Sequence, residues 1–176
     1  DLKGGSHLLM RVKTDEYLKT LTEGNKEAAL NAAKDAKDAN GAPLYPKDNR
    51  GEATFPGSAV AVAENNRYEI TLTVNDAGQM QPVLEAIKNK VNFESTGWTQ
   101  NVSGNTVTWS LPVQAQNLLK EQAADQALQI IESRINAVGV KEPTLQKVGA
   151  ANSGQILLQM PGVDDPERIK KLVNAD

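Results

Sequence analysis

Three features of the sequence predict an α+β chain. Short segments alternate apolar and polar residues, longer ones repeat apolar residues every three or four positions, and Gly-, Pro- or Asn-containing joints separate them. Hydrophobic residues make up 39% of the 176 positions and charged residues 23%, which suits one ordinary packed domain or two small ones rather than a disordered chain.

The first element is a strand. Leu8, Met10 and Val12 alternate with His7, Leu9 and Arg11, so at least one face is apolar and the other is mixed. Thr14 is placed to cap a helix, with Asp15 and Glu16 in its first turn and Tyr17, Leu18 and Leu21 as a short apolar stripe. Beyond Gly24-Asn25 comes an alanine-rich helix carrying Ala29, Ala33 and Ala36, expected to stop at Asn40-Gly41. Residues 41–57 hold three prolines and three glycines without a period and are expected to be a mobile surface loop. No internal repeat is strong enough to claim.

Tyr68, Ile70, Leu72 and Val74 alternate with Glu69, Thr71 and Thr73 as a half-buried strand, and Val60 and Val62 suggest a partner strand across an Asn65-Asn66 turn. Met80, Val83, Leu84, Ile87 and Val91 have helical spacing, and Pro82 requires that helix to begin no earlier than about Gly78. Residues 98–111 form a hairpin about Gly104-Asn105. Folding there puts Trp98, Gln100, Val102, Val107, Trp109 and Leu111 on one face and a run of Thr, Ser and Asn on the other. That parity assigns both tryptophans to a core rather than to a ligand platform.

From Asn117 a helix runs to Val138 with Ala124, Ala127, Leu128, Ile131, Ile135 and Val138 as its stripe; Gly139 stops it and Pro143 blocks re-entry. Strands follow at Thr144–Val148 and Gln155–Met160. Pro161-Gly162 turns the chain, Asp165 caps, Pro166 takes the first helical position, and Ile169, Leu172 and Val173 form the apolar side of a last helix. The outer segments, 1–13 plus 114–176, then read as strand, helix, strand, strand, helix, a split βαβ or ferredoxin-like base that lacks only its final strand. Residues 14–113 are an inserted α+β subdomain. In that order His7–Val12 would be an uncovered sheet edge, with only Arg11 resisting a further strand.

Nineteen basic residues against 22 acidic ones give a net charge of -3, a poor footprint for nucleic acid. The pair Lys170-Lys171 reads as a helix C-terminal charge. With no cysteine and a single histidine, His7, the chain cannot form a disulfide, a zinc cluster or a cysteine nucleophile. No apolar run reaches the roughly 20 residues that span a bilayer. The opening Asp1-Leu2-Lys3-Gly4-Gly5 has neither an initiator Met nor a signal peptide, and both ends are expected to be boundaries inside a longer protein.

Three stretches carry a resemblance. Asp1-Leu2-Lys3-Gly4-Gly5 resembles the motif that follows the first membrane helix of the SecD family. The run Arg134-Ile135-Asn136-Ala137-Val138-Gly139-Val140-Lys141-Glu142-Pro143, with Gln146 and Gly149 after it, resembles that family's helix-to-strand signature. Gln155 to Met160 with Pro161-Gly162-Val163 resembles the strand and turn that follow. Their order fits the form of SecD with an extra subdomain between the first strand and the helix.

The resemblance implies an extracytoplasmic domain on the periplasmic side of the bacterial inner membrane. Its partners would be SecF, the Sec translocon and the unfolded exported polypeptide, and its work would be export driven by the proton gradient. The family's proton-carrying acid lies in a membrane helix, so no residue here is a candidate for the proton step. The head credited with holding substrate also follows the base in that family. Each motif residue has a structural reading that is preferred: Gly4 and Gly5 bend the chain, Arg134 meets its own helix end or Glu142, Asn136 satisfies a backbone group, and Pro161-Gly162 turns. The first alternative is a periplasmic domain of a related efflux transporter that binds small amphiphiles. A second is a ferredoxin-like hydrolase, but Arg11 lies inside the strand, no anion loop follows it, and Asp164-Asp165 is explained by capping. No catalytic constellation, cofactor site or metal site is identified. Titration calorimetry with zinc or a nucleotide should show no micromolar binding, and a saturable isotherm in that range would refute this.

Overall fold

The computed structural model describes residues 5–139, 143–161, 167, 170, 171 and 173. It is α+β with two antiparallel sheets. The order is β1 (Gly5–Arg11), α1 (Thr14–Ala33), β2 (Ser58–Glu64), β3 (Arg67–Thr73), α2 (Met80–Lys88), β4 (Thr99–Ser103), β5 (Thr106–Ser110), α3 (Val113–Val138), β6 (Thr144–Val148) and β7 (Gln155–Pro161). The chain divides into two compact units, one of Asp1–Tyr17 with Asn117–Asp176 and the other of Leu18–Gln116, with both boundaries inside helices α1 and α3. No described helix is long and apolar enough to cross a membrane.

Unit Leu18–Gln116 is built on the sheet β2-β3-β5-β4. Its two hairpins have two-residue primed turns, whose twist matches that of the strands they join. Asn65 and Asn66 both have positive φ (52° and 62°), a type I′ turn, while only Gly104 does (φ 60°) in the Gly104-Asn105 pair, a type II′ turn. The first turn settles the register of β2. Glu64 pairs with Arg67, so Ala63, Ala61 and Ala59 stand opposite buried Tyr68, Ile70 and Leu72, and Val60 is turned outward, 63% exposed. Phe93 stacks on Trp109 at 4.4 Å between centroids and meets Trp98 edge-on at 5.7 Å. Val107, Trp109, Leu111 and Trp98 are buried, as their parity predicts, but Val102 on the edge strand is 41% exposed.

Helix boundaries depart from the sequence expectation at several points. Gly24-Asn25 does not break α1, which is one helix to Ala33 and stops well short of Asn40. The carbonyl of Lys13 accepts from the Tyr17 N–H at 3.0 Å, so the cap falls on Lys13 and Thr14 is the first helical residue. Helix α2 starts behind a turn of 3-10 helix whose Asp76 side chain accepts from the Gly78 N–H. Helix α3 begins at Val113 rather than Asn117: the Gln116 N–H bonds the Pro112 carbonyl, and the buried Gln116 amide donates to the carbonyls of Asn66 and Leu111 at 2.8 Å each.

The aperiodic reading of residues 41–57 is corrected most. Lys37-Asp38-Ala39-Asn40-Gly41-Ala42-Pro43-Leu44-Tyr45 and Lys47-Asp48-Asn49-Arg50-Gly51-Glu52-Ala53-Thr54-Phe55 are two copies of one turn, sharing Lys, Asp, Gly and a terminal aromatic ring. In each, the Asp N–H bonds the carbonyl four residues on at 2.8 Å, and the Gly N–H bonds the Asp carbonyl at 3.0 Å. The Asp side chains accept from Asn40 and Ala42 in one copy and from Arg50 and Glu52 in the other. Gly41 and Gly51 take φ of 82° and 80°, and bridges Lys37–Pro43 and Lys47–Ala53 close the two hairpins. Tyr45 and Phe55 are buried edge to face, 5.4 Å apart. The Tyr45 hydroxyl donates to Gln79 Oε1 at 3.0 Å, and burial followed by the nearby Asp76 charge raises the phenol's pKa above its ordinary value.

Gly24 sits inside α1, exposed, with open space where a Cβ would go. Gly24→Ala should therefore stabilise the protein by about 0.5–1 kcal/mol. A lower urea midpoint for the variant would contradict this.

Candidate functional site

The residues singled out by motif lie in unit Asp1–Tyr17 with Asn117–Asp176, whose sheet order is β1-β7-β6 with all pairs antiparallel. β7 is central because its alternation is the strongest: Ile156, Leu158 and Met160 are buried and pack with Ile131 and Ile135 of α3 and with Val173. Leu8 and Met10 flank them from β1 and Leu145 from β6. Lys147 shares this inward row, opposite Ile156, and its ammonium reaches Asp125, whose hydrogen bond raises its pKa. The opposite face carries His7, Leu9 and Arg11 across from Gln159, Leu157 and Gln155, with Leu9 61% exposed.

The described motif residues lie on β1, α3, β6 and β7 of this unit or next to them. Gly5 pairs with Pro161, so the end of the first motif and the end of the strand in the last are cross-strand neighbours. Arg134, expected at its own helix end or on Glu142, instead donates from Nη1 to the carbonyl of buried Val173, tying α3 to the last described helical residues. Asn136 is exposed, and its carbonyl accepts from the Gly139 N–H at 3.1 Å. Gly139 has φ 79°, the left-handed stop that the sequence predicts. Pro143 is half-buried ahead of β6, and Gln146 points outward opposite Leu157. Asp1, Gly4, Val140, Glu142 and Gly162 lie outside the described residues, as do the expected cap Asp165 and the Pro166 position.

Sequence reading missed several residues. The Gly154 carbonyl accepts from the Val12 N–H at 2.7 Å, and Gly154 itself has φ 75°. A Cβ there would come 2.8 Å from the Val12 carbonyl oxygen, so only glycine fits where β1 hands over to α1. Asn152 donates to Asn117 Oδ1 at 2.8 Å, and Lys120 pairs with Asp15 at 3.1 Å. None of these has a signal in the local sequence.

β1 is the end strand of its sheet, with no strand on its other side among the described residues. Beside it runs an open groove of about 410 Å³, lined by Leu8, Met10, Val12, Ile130 and Ile131 with Arg134 and Lys170. Its lining is apolar with three cations, Arg11 being the third. Among the described residues no group of three His, Cys, Asp or Glu side chains is placed to hold a metal ion. The arrangement offers packing surface and a sheet edge.

The family model described as "Protein translocase subunit SecDF, P1 domain, N-terminal" matches residues 124–176, the stretch holding most of α3, β6 and β7. Protein translocase subunit SecD of Rickettsia felis is 30% identical over 173 residues, covering 98% of this chain and 28% of that protein. The SecD of Koribacter versatilis is 28% identical over 175 residues, covering 99% and 29%. Along nearly its whole length this chain is similar to SecD proteins. The SecD of Salmonella choleraesuis, 26% identical over 175 residues, covers 99% of the chain and 24% of its own length, so the chain spans under a third of these SecD relatives. Because these alignments cover nearly the whole chain, they include residues 14–113 as well as the motif-bearing segments. A solved structure of the ribosome recycling factor covers 92% of this chain and 83% of its own at 16% identity, but with a TM-score of 0.27, too low to argue a shared fold.

Gly139→Ala and Gly154→Ala separate two kinds of constraint. At Gly139 the added Cβ meets nothing, so the left-handed backbone alone should cost about 1 kcal/mol. At Gly154 the same strain is joined by a backbone clash, and the loss should exceed that of Gly139→Ala. Equal urea midpoints for the two variants would show that Gly154 is not held against Val12.

Proposed function

We propose that this chain is the extracytoplasmic part of a SecD-type translocase subunit. It would act on the periplasmic face of the inner membrane with SecF and the Sec translocon, in export driven by the proton gradient. It is non-catalytic in this reading: it presents surface to partners and performs no bond chemistry. The observation that carries the proposal is the similarity to SecD proteins over 98% of the chain, joined by the P1-domain match over residues 124–176.

The finer architecture belongs to the same proposal. The base, 1–13 with 114–176, is ferredoxin-like, and residues 14–113 are an insertion between its first strand and first helix. The order β1-β7-β6 supports this, because a split βαβ unit sets its first, third and second strands side by side and leaves the far side of the first for a fourth. Asp1, Gly4, Gly5, Asn136, Gly139, Val140, Glu142, Pro143, Gln146, Pro161 and Gly162 are read with Arg134 as residues that shape joints of this base.

A chimera tests the reading. In a strain depleted of SecD, the matching region of the Salmonella choleraesuis SecD is replaced by this chain and preprotein processing is followed by pulse-chase. Processing should recover towards the level given by the unaltered protein. A chimera that accumulates in the membrane yet leaves processing at the depleted level would overturn the proposal. Since the chain has no cysteine, Ser103→Cys adds one label site to this part of the chimera, on an exposed strand, and the chimera without it serves as the control. It should react with a membrane-impermeant maleimide from the periplasmic side, and labelling only after lysis would place the domain on the wrong face.

A further inference from the structure

The free edge of β4 differs from ordinary surface. All five residues of Thr99–Ser103 are exposed, and β4 ends its sheet. The pair that closes a two-residue turn carries ladder bonds, and bonded and unbonded pairs then alternate along an antiparallel ladder. Ser103–Thr106, Asn101–Thr108 and Thr99–Ser110 are therefore the bonded pairs. Gln100 and Val102 turn their N–H and C=O groups away from β5, spaced as an extended chain would need them.

Beside this edge lies a cavity of about 580 Å³ between α2 and β4, lined by Leu84, Lys88, Val91, Phe93, Trp98 and Gln100 among others. Trp98 is 4% exposed, and its indole N–H is the only buried side-chain donor or acceptor without a hydrogen-bond partner among the described residues. By contrast the Trp109 indole N–H donates to Gln100 Oε1 at 3.0 Å. A buried donor without an acceptor is unusual enough to call for a partner. Glu85 and Glu94 against Lys88 give the cavity wall an excess of negative charge. The opposite edge, β2, offers less, since its inward residues are Ala59, Ala61 and Ala63.

We propose that the β4 edge and this cavity bind an extended segment of another polypeptide, which pairs with Gln100 and Val102 as a fifth strand. Its inward side chains cover Val102 and enter the cavity that Trp98 lines. Segments with an apolar residue and a neighbouring lysine or arginine fit best, because of Glu85 and Glu94. Nothing in this geometry depends on SecD membership, so failure of a peptide to bind here would leave the family assignment intact.

The probe is a fluorescein-labelled peptide of alternating valine and threonine with lysine at each end, titrated against the 176-residue chain. Anisotropy should rise saturably. Amide resonances of Gln100 and Val102 and the Trp98 indole resonance should shift, and a peptide with aspartate ends should bind more weakly at low salt. Val102→Pro removes an outward N–H that carries no internal bond, a position where edge strands tolerate proline. It should weaken binding about tenfold or more, one lost anchoring contact of the kind that dominates an interface. Val102→Lys, which keeps the N–H, should weaken it too; circular dichroism checks that both variants are folded. No saturable binding, shifts confined to β1, or unchanged affinity in both folded variants would overturn the proposal. So would a concentration-dependent dimer of the free chain that Val102→Pro abolishes, since a second copy would then be the occupant.

Discussion

The ladder between β1 and β7 organises unit Asp1–Tyr17 with Asn117–Asp176, because it joins the two ends of the described chain. Its pairs run from Gly5 opposite Pro161 to Arg11 opposite Gln155, and β7 is also the inner partner of β6. Closing such a pairing costs chain entropy that grows only slowly with the length enclosed. A long insertion between β1 and α3 is therefore compatible with this sheet, provided the contacts at the closure are good. Gly5 against Pro161, the Gly154 carbonyl on the Val12 N–H, and Arg134 on the Val173 carbonyl are all closure contacts. Gly5, Pro161 and Arg134, three motif residues far apart in sequence, take part in these contacts.

The second unit is stabilised differently, by local chemistry repeated. Two primed hairpin turns set the registers of its four strands, and the two copies of the Lys-Asp-x-x-Gly turn satisfy their backbone groups internally. Each copy then delivers one aromatic ring, Tyr45 or Phe55, to a buried position. Such a segment gains its order from a few hydrogen bonds per turn and one anchor per copy, with no need for a helix or a long strand. The price is a region that looks irregular by apolar periodicity.

The edge strands differ from the central ones in what they leave exposed. β1 exposes Leu9, and β4 exposes Val102. Central strands β3, β5 and β7 have no such features, since both of their backbone edges are occupied within the sheet.

The α+β class, the strands at His7–Val12, Tyr68–Val74, Thr144–Val148 and Gln155–Met160, the Gly104-Asn105 hairpin and the Gly139 helix stop were all legible in the sequence. Each depends on periodicity or turn chemistry within a short window, where side-chain parity and backbone φ preferences act directly. The likeness to SecD was legible too, through the order and spacing of its motif residues. Tertiary structure alone decided the rest. Arg134 could not be assigned to Val173, nor Gln116 to Asn66, because the acceptors are backbone carbonyls distant in sequence and brought near only by folding. Gly24 did not break α1, since a single glycine costs a helix little once its neighbours are buried. The tandem turns escaped because their shared residues are polar or glycine and leave no apolar rhythm. The exposure of Val102 escaped because parity identifies the inward face of a strand but not whether anything covers it. Local pattern names the elements; only packing says which groups remain without partners.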